Sequence, residues 1–218
     1  MIDWMFNLDK SMGEFISIYG SWIYFLLGSI VFAETGLIVF AFLPGDTLLF
    51  AAGSYAASGK IDIWILIPIV VFTAVIGNTV NALIARWIYR KYGDEIFSGK
   101  LKWLDAKSLK RTQEFYNKHG GKTLILARFI PILRTFAPFI AGLSGMQLMR
   151  FQAYNILGAF LWGAGLLWLG FLFGNVPFIK NHLDLIILAG LAAAVIPTTL
   201  GLLWSFFKNK YLKHKVKN

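Results

Sequence analysis

Four charged residues interrupt apolar runs long enough to lie in a lipid bilayer, and few folds tolerate that combination. Glu34 sits within SIVFAETGLIVFAFLPGD, which ends on Asp46, while Arg128 and Arg134 sit within TLILARFIPILRTFAPFIAGLSG. A charge held at the centre of a bilayer costs between about 3 and 15 kcal/mol, depending on how it is measured, so such residues characteristically line a path or a binding site. Two acids in one half of the chain and two arginines in the other point to a site assembled from both.

Composition supports the membrane reading. Hydrophobic residues make up 57% of the 218 residues and the mean hydropathy is +0.64, more apolar than a soluble domain of this size. The fold class expected is an all-α integral membrane protein forming a single domain over 1–218. The absence of cysteine removes disulfides, thiolate metal ligands and cysteine nucleophiles. His119, His182 and His214 are too scattered to suggest a metal cluster, so neither a metal nor another cofactor is expected. The N-terminal MIDWMFNLDKSMGE carries Asp3, Asp9 and Glu14 against Lys10, unlike the basic start of a signal peptide, and is expected to remain part of the protein.

The formal charge of +10 raises nucleic acid as a partner, but its distribution argues for a different origin. Ten of the 21 Lys and Arg fall between Arg86 and Lys122, and five more lie in the tail KNKYLKHKVKN. Basic clusters flanking apolar spans follow the positive-inside rule, which places both segments in the cytoplasm and leaves nucleic acid as the weaker reading. The expected arrangement is a membrane protein with multiple passes and a cytoplasmic C-terminus.

Residues 63–89, 151–173 and 183–207 each supply at least the roughly 20 residues of a membrane-crossing helix. The block 15–57 is too long for one crossing, yet after Pro44-Gly45-Asp46 the remainder is too short for a second. It reads as a lead-in helix followed by a re-entrant hairpin. In block 123–149, Pro131 and Pro138 each remove a backbone donor, and with Pro44 and Gly45 they are the predicted hairpin breaks. With 86–122 and the basic tail 208–218 both cytoplasmic, the second hairpin opens to the cytoplasm and the first to the exterior. Two oppositely oriented re-entrant hairpins resemble an inverted-repeat transporter, in which broken helices expose polar backbone at a midplane site. Between the halves, residues 100–119 place Leu101, Leu104, Ser108, Thr112 and Phe115 on one face, as in an amphipathic helix on the cytoplasmic surface or a soluble connector.

The residue types suggest a division of roles. Guanidinium groups present a fork of donors suited to phosphate and keep their charge in a poor dielectric, which makes Arg128 and Arg134 candidate ligands for an anionic headgroup. A carboxylate in apolar surroundings can exchange a proton near neutral pH, which makes Glu34 and Asp46 candidate proton carriers or headgroup contacts. The alternative is that acids and arginines simply pair to hold the halves together. Asp46 also reads as a cap for the helix beginning at Thr47. Arg86 and Arg150 fit snorkelling at the cytoplasmic boundary, and Trp162, Trp168 and Phe160 fit packing or interface anchoring.

FAETGLIVFAFLPGDTLLFAAG, GNTVNALIARWIYRKYG, FYNKHGGKTLILARFIPILRTFAPFIAGLSGM and FQAYNILGAFLWG, spanning roughly residues 32–163, resemble the DedA family of bacterial membrane proteins. The resemblance implies opposed re-entrant hairpins and a role in moving lipids across the bilayer, with undecaprenyl phosphate or phosphatidylethanolamine as cargo. Other members are associated with proton-dependent drug and pH resistance. The family's required acids match Glu34 and Asp46, and its required arginines match Arg128 and Arg134. Its middle pattern G-D-x-x-N-Y-x-x-G-R is met at Gly77, Asn81 and Arg86, but Asn78 replaces the acid, Ala82 the tyrosine and Ala85 the glycine. Asn78, Asn81, Arg86 and Asn155 are therefore secondary site candidates.

The reading that follows is a proton-coupled flippase for a phosphate-bearing lipid, with lipids and protons as partners and a homo-oligomer compatible with it. Alternatives are a phospholipid scramblase, a proton-dependent ion or drug transporter, and a non-transporting envelope scaffold. Enzymatic activity is not expected, because the membrane segments contain no Ser/His/Asp or Cys/His set and no paired-histidine metal motif.

Overall fold

A computed structural model describes residues 20–40, 43–97 and 121–174, with isolated positions at 114, 176, 177, 179, 182 and 185. The predicted surface helix 100–119, the third crossing 183–207 and the basic tail 208–218 lie outside the described residues, apart from isolated positions. So does the start of the 15–57 block. The described elements are all helical: α1 (Trp22–Gly36), a 3₁₀ turn (Ile38–Phe40), α2 (Gly45–Ala57), α3 (Ile63–Phe97), α4 (Lys122–Ala127), α5 (Pro131–Leu143) and α6 (Leu148–Phe173).

Two of these helices are long and apolar enough to cross a membrane. They are α3 over Ile63–Tyr92, with mean hydropathy 2.2, and α6, with 2.0. Helix α3 runs past the predicted end at 89, because Arg90 and Lys91 are good helix formers and no proline interrupts the chain before Phe97. It tolerates Pro68 in its second turn, where the missing N–H costs one helical bond. Trp22, Phe25, Trp64, Phe72 and Met149 are each at least 65% exposed. Water penalises so much uncovered apolar surface, whereas lipid accepts it.

The broken segments follow from local proline chemistry. Pro131 disfavours helix at the residue before it, and Ile130 is extended at φ −114° and ψ 112°. The ring then fits the first position of α5, where no N–H is needed. The second break thus occupies 128–130. Pro138, predicted as a further break, instead lies inside α5 and leaves the helix continuous. Its cost is one bond, since it cannot donate to the carbonyl of Arg134. The first break begins at the extended Leu37, φ −121° and ψ 112°, and ends at Pro44, so Gly45 and Asp46 belong to the first turn of α2 rather than to the break.

Packing sorts the helices into two trios. Helices α1 and α5 pack on α3, helices α2 and α4 pack on α6, and α3 packs on α6 to join the trios. The first helix of each broken pair therefore rests on the long helix of its own half, and the second crosses to the long helix of the other half. Small residues permit the crossing of α2 and α6: a Cβ on Gly53 would lie 2.2 Å from the Leu167 carbonyl oxygen, and one on Gly170 would lie 2.0 Å from that of Phe50. Ile23, Leu27, Leu49, Leu66, Val70 and Leu167 fill the main core around it. A second core joins Ala82 to Leu124, Ala137, Ala141 and Phe151, and Ala85 packs beside it with Leu143.

Candidate functional site

The two breaks and the mid-sections of α3 and α6 meet around a buried polar cluster. Glu34 is brought there by the last turn of α1, which approaches α3 so closely that a Cβ on Gly77 would lie 2.1 Å from Thr35 Oγ1. Gly45 at the start of α2 allows the neighbouring backbone to seat against the Glu34 carboxylate, where a Cβ would overlap Oε2. Arg134, in the first turn of α5, reaches across and donates from Nη2 to Glu34 Oε1 and from Nη1 to Asp46 Oδ1. Its guanidinium also lies over the Trp162 ring, 5.3 Å from the centroid, while Trp162 Nε1 donates to Asp46 Oδ1 at 2.8 Å. Glu34 is fully buried and Arg134 nearly so, whereas the Asp46 side chain is 41% exposed.

Asp46 is therefore not the cap of α2. Pro44 occupies that position with no side-chain cap bond, and the Asp46 carboxylate serves Arg134 and Trp162 instead. Its place in the first turn of α2 still favours a negative charge.

Arg128 closes α4 and lies on the far side of the same small cavity, with very different company. Its Nη2 donates to Asn155 Oδ1 at 2.5 Å and to the Asn155 carbonyl at 3.3 Å. The Asn78 amide lies against the same groups; turned to satisfy both of its ends, it donates to the Thr35 carbonyl at 3.3 Å and accepts from Arg128 Nη2. Among the described residues both ion pairs belong to Arg134, and Arg128 has none. The cavity is lined by Thr35, Asn78, Arg128, Arg134 and Trp162 and offers about 10 Å³ of free space, the scale of one water molecule.

Asparagines donate to backbone carbonyls at the end of α1 and within α3 and α5. Asn81 Nδ2 donates to the Thr35 carbonyl at the end of α1, at 3.2 Å, and to the Thr135 carbonyl in α5, at 2.9 Å. The latter is one residue beyond the carbonyl that Pro138 strips of its donor. Asn155 Nδ2 donates to the Val75 carbonyl at 3.0 Å and to Gln152 Oε1 at 3.1 Å, and Gln152 Nε2 donates to Thr79 Oγ1 at 2.8 Å. A buried amide offers both donor and acceptor without charge, which suits these positions.

The four charges predicted from sequence thus converge, with Asn78, Asn81 and Asn155 beside them. Arg86 stays apart: it is half-buried and donates to the Met146 carbonyl, tying α3 to the α5–α6 turn. Pro44 and Gly45 shape the approach to Glu34, and Pro131 the approach to Arg128 and Arg134, while Pro138 acts only through the backbone. Trp162 is the residue that sequence reasoning underrated. Its place in AFLWG signals packing, and it does pack, yet its ring and N–H also serve Arg134 and Asp46. Ala82 and Ala85, in place of the family's tyrosine and glycine, stand where α5 comes closest to α3, facing Gly142.

The VTT domain profile matches residues 43–172, and the chain is 40% identical over 200 residues to the DedA protein of Escherichia coli K12, covering 90% of each. The chain belongs to the DedA family. An uncharacterised membrane protein of Mycobacterium leprae is 41% identical over 173 residues, covering 79% of this chain and 76% of that one. The inner membrane protein YghB of Escherichia coli K12 is 33% identical over 192 residues, with 87% and 86% covered. No solved structure matches the chain. Membership makes it a membrane protein, as its exposed apolar surface requires. The matched domain contains Asp46, Asn78, Arg128, Arg134 and Trp162, whereas Glu34 lies just upstream of it.

Proposed function

We propose that this chain is a translocase of the bacterial cytoplasmic membrane for a phosphate-bearing lipid, with undecaprenyl phosphate, suggested by the family resemblance, as its cargo. The observation that carries this reading is the convergence of four charges from both broken segments: Arg128 and Arg134 line one small cavity, and Glu34 and Asp46 pair with Arg134 beside it. A scaffold has no need of so costly a cluster, whereas a carrier of charged headgroups does.

The helix lengths support two re-entrant hairpins. Helices α2 and α5 have 13 residues each. At about 1.5 Å per residue each extends roughly 20 Å, short of the roughly 30 Å hydrocarbon core. The proposed cycle uses the boundary between the trios. The cavity as it stands is too small for a phosphate group, so loading requires the trios to part. Parting stretches the Arg134–Asp46 pair, which joins α5 of one trio to α2 of the other. Proton uptake on Asp46 and Glu34 neutralises the partners of Arg134 and frees it to join Arg128 in holding the phosphate. Proton loss restores the pairs and expels the lipid on the other side.

The test is lipid flip in proteoliposomes holding the full chain, with a short-chain undecaprenyl phosphate analogue and with or without a pH gradient. Gradient-stimulated flip that Glu34→Gln and Arg134→Ala abolish is expected. Flip that ignores the gradient would sink the coupled mechanism. A second reading, uncoupled scrambling of ethanolamine phospholipids, draws on the exposure of Asp46, which could pair with an amine, and predicts gradient-independent flip of those lipids.

A further inference from the structure

The two arginines of the site differ in how their charge is met. Arg134 touches both carboxylates, so its charge is more than compensated. Arg128 is only 6% exposed, and among the described residues its partners are uncharged: the Asn155 side chain and carbonyl, and the Asn78 amide. A buried cation whose partners are all neutral is held at a cost that an arriving anion removes. Its guanidinium also borders the cavity, so an anion entering there meets it directly.

We infer that Arg128 with Asn78 forms an oxyanion subsite for a phosphate group, and that Asn78 is the specificity-determining residue because its neutrality keeps Arg128 uncompensated. A carboxylate at position 78 would occupy the place of the amide beside Arg128 Nη2 and form an internal ion pair. The subsite would then be filled from within, and an incoming phosphate would have to displace that pair and face its negative charge. Asn78 itself is a positioning residue. In the orientation that satisfies both of its ends, its amide bridges Thr35 at the end of α1 to Arg128 at the end of α4, so it senses both trios while contributing no charge. The four ionised side chains of the site sum to zero as the sequence stands, and one acid more would make the resting site anionic. The inference rests on the phosphate-lipid reading above for the source of the phosphate, but the subsite itself is defined by phosphate chemistry alone.

Equilibrium binding to the purified full chain in nanodiscs tests this, with inorganic phosphate and a short-chain polyprenyl phosphate as the two probes. Asn78→Asp is expected to weaken polyprenyl phosphate binding by at least about tenfold, while Asn78→Ala, which removes the amide without adding charge, changes it by less than about threefold. Arg128→Gln should match Asn78→Asp, and thermal melting of each variant establishes that it is folded. A loss in both probes assigns the subsite to phosphate itself, and a loss confined to the polyprenyl probe assigns it to the lipid headgroup. If folded Asn78→Asp binds both probes as the parent does, or if Asn78→Ala loses as much as Asn78→Asp, the inference is overturned. Proteoliposome flip by the parent chain is read separately: binding that depends on residue 78 without any flip retains the subsite and discards the transport reading.

Discussion

The two halves of the described chain are built to one plan and stocked with opposite charges. Residues 22–97 contain a helix, a break, a short helix and a long helix, and residues 122–173 repeat that order. The first half supplies Glu34 and Asp46 and the second supplies Arg128 and Arg134. Their breaks differ in kind: eight residues from Leu37 to Pro44 in the first, three residues from 128 to 130 in the second. The wider break lets α1 end short of α2 and sets Glu34 against Gly45. The tighter one holds Arg128 and Arg134 within a few residues of each other on either side of an extended Ile130. Within the site neither half neutralises its own charges, and the halves interlock, with α2 crossing to α6 and α5 crossing to α3.

That complementarity is most severely broken at Arg134. Arg134→Ala would strand a fully buried Glu34 and leave Asp46 without its cation, an expected loss of about 3–5 kcal/mol that thermal or chemical denaturation in detergent would register. Lysine should rescue poorly, since one ammonium cannot reproduce a two-armed contact to separate carboxylates. If Arg134→Ala melts like the parent, the halves are not held by charge. Helix crossing ranks next. Gly170→Ala drives a Cβ against the Phe50 carbonyl, which is backbone and cannot rotate away, so α2 and α6 must separate at a cost of about 1–3 kcal/mol. Trp162→Phe keeps most of the packing but removes the donor to Asp46, an expected loss of about 1 kcal/mol in the same denaturation measurement. Smallest of all is Arg128→Gln, which strands no carboxylate among the described residues and should leave stability within about 1 kcal/mol while weakening the proposed phosphate binding at least about tenfold. Equal destabilisation by Arg128→Gln and Arg134→Ala would erase the contrast between the two cations.

Much of the site was legible from the chain because the cost of a charge in lipid is a property of the residue and its apolar neighbours, not of the fold. Glu34, Arg128 and Arg134 declare themselves in that way. Asp46 was ambiguous, since Pro-Gly-Asp suits a turn as well as a site, and only Arg134 and Trp162 on other helices resolve it. Trp162 carried no sequence signal beyond packing, because a tryptophan in an apolar helix looks the same whether or not a cation lies over its ring. Pro138 misled in the opposite direction: a proline marks a missing donor, but whether the helix breaks depends on the surrounding packing, and here Asn81 and the α3 surface support α5 across it.

By itself the sequence determined that this protein enters a membrane, that it belongs among helices, and that two proline-interrupted segments carry opposing charges. These follow from local quantities: hydropathy summed over a span, the fixed φ of proline, the solvation of a charge. The tertiary structure alone decided which charge meets which. Arg134 receives both acids and Arg128 receives only amides because α5 begins beside α1 and α2, whereas Arg128 closes α4 against Asn155 of α6. Pairing of that kind depends on distances between residues 27 to 100 positions apart in the chain, which only the packing of the helices can set.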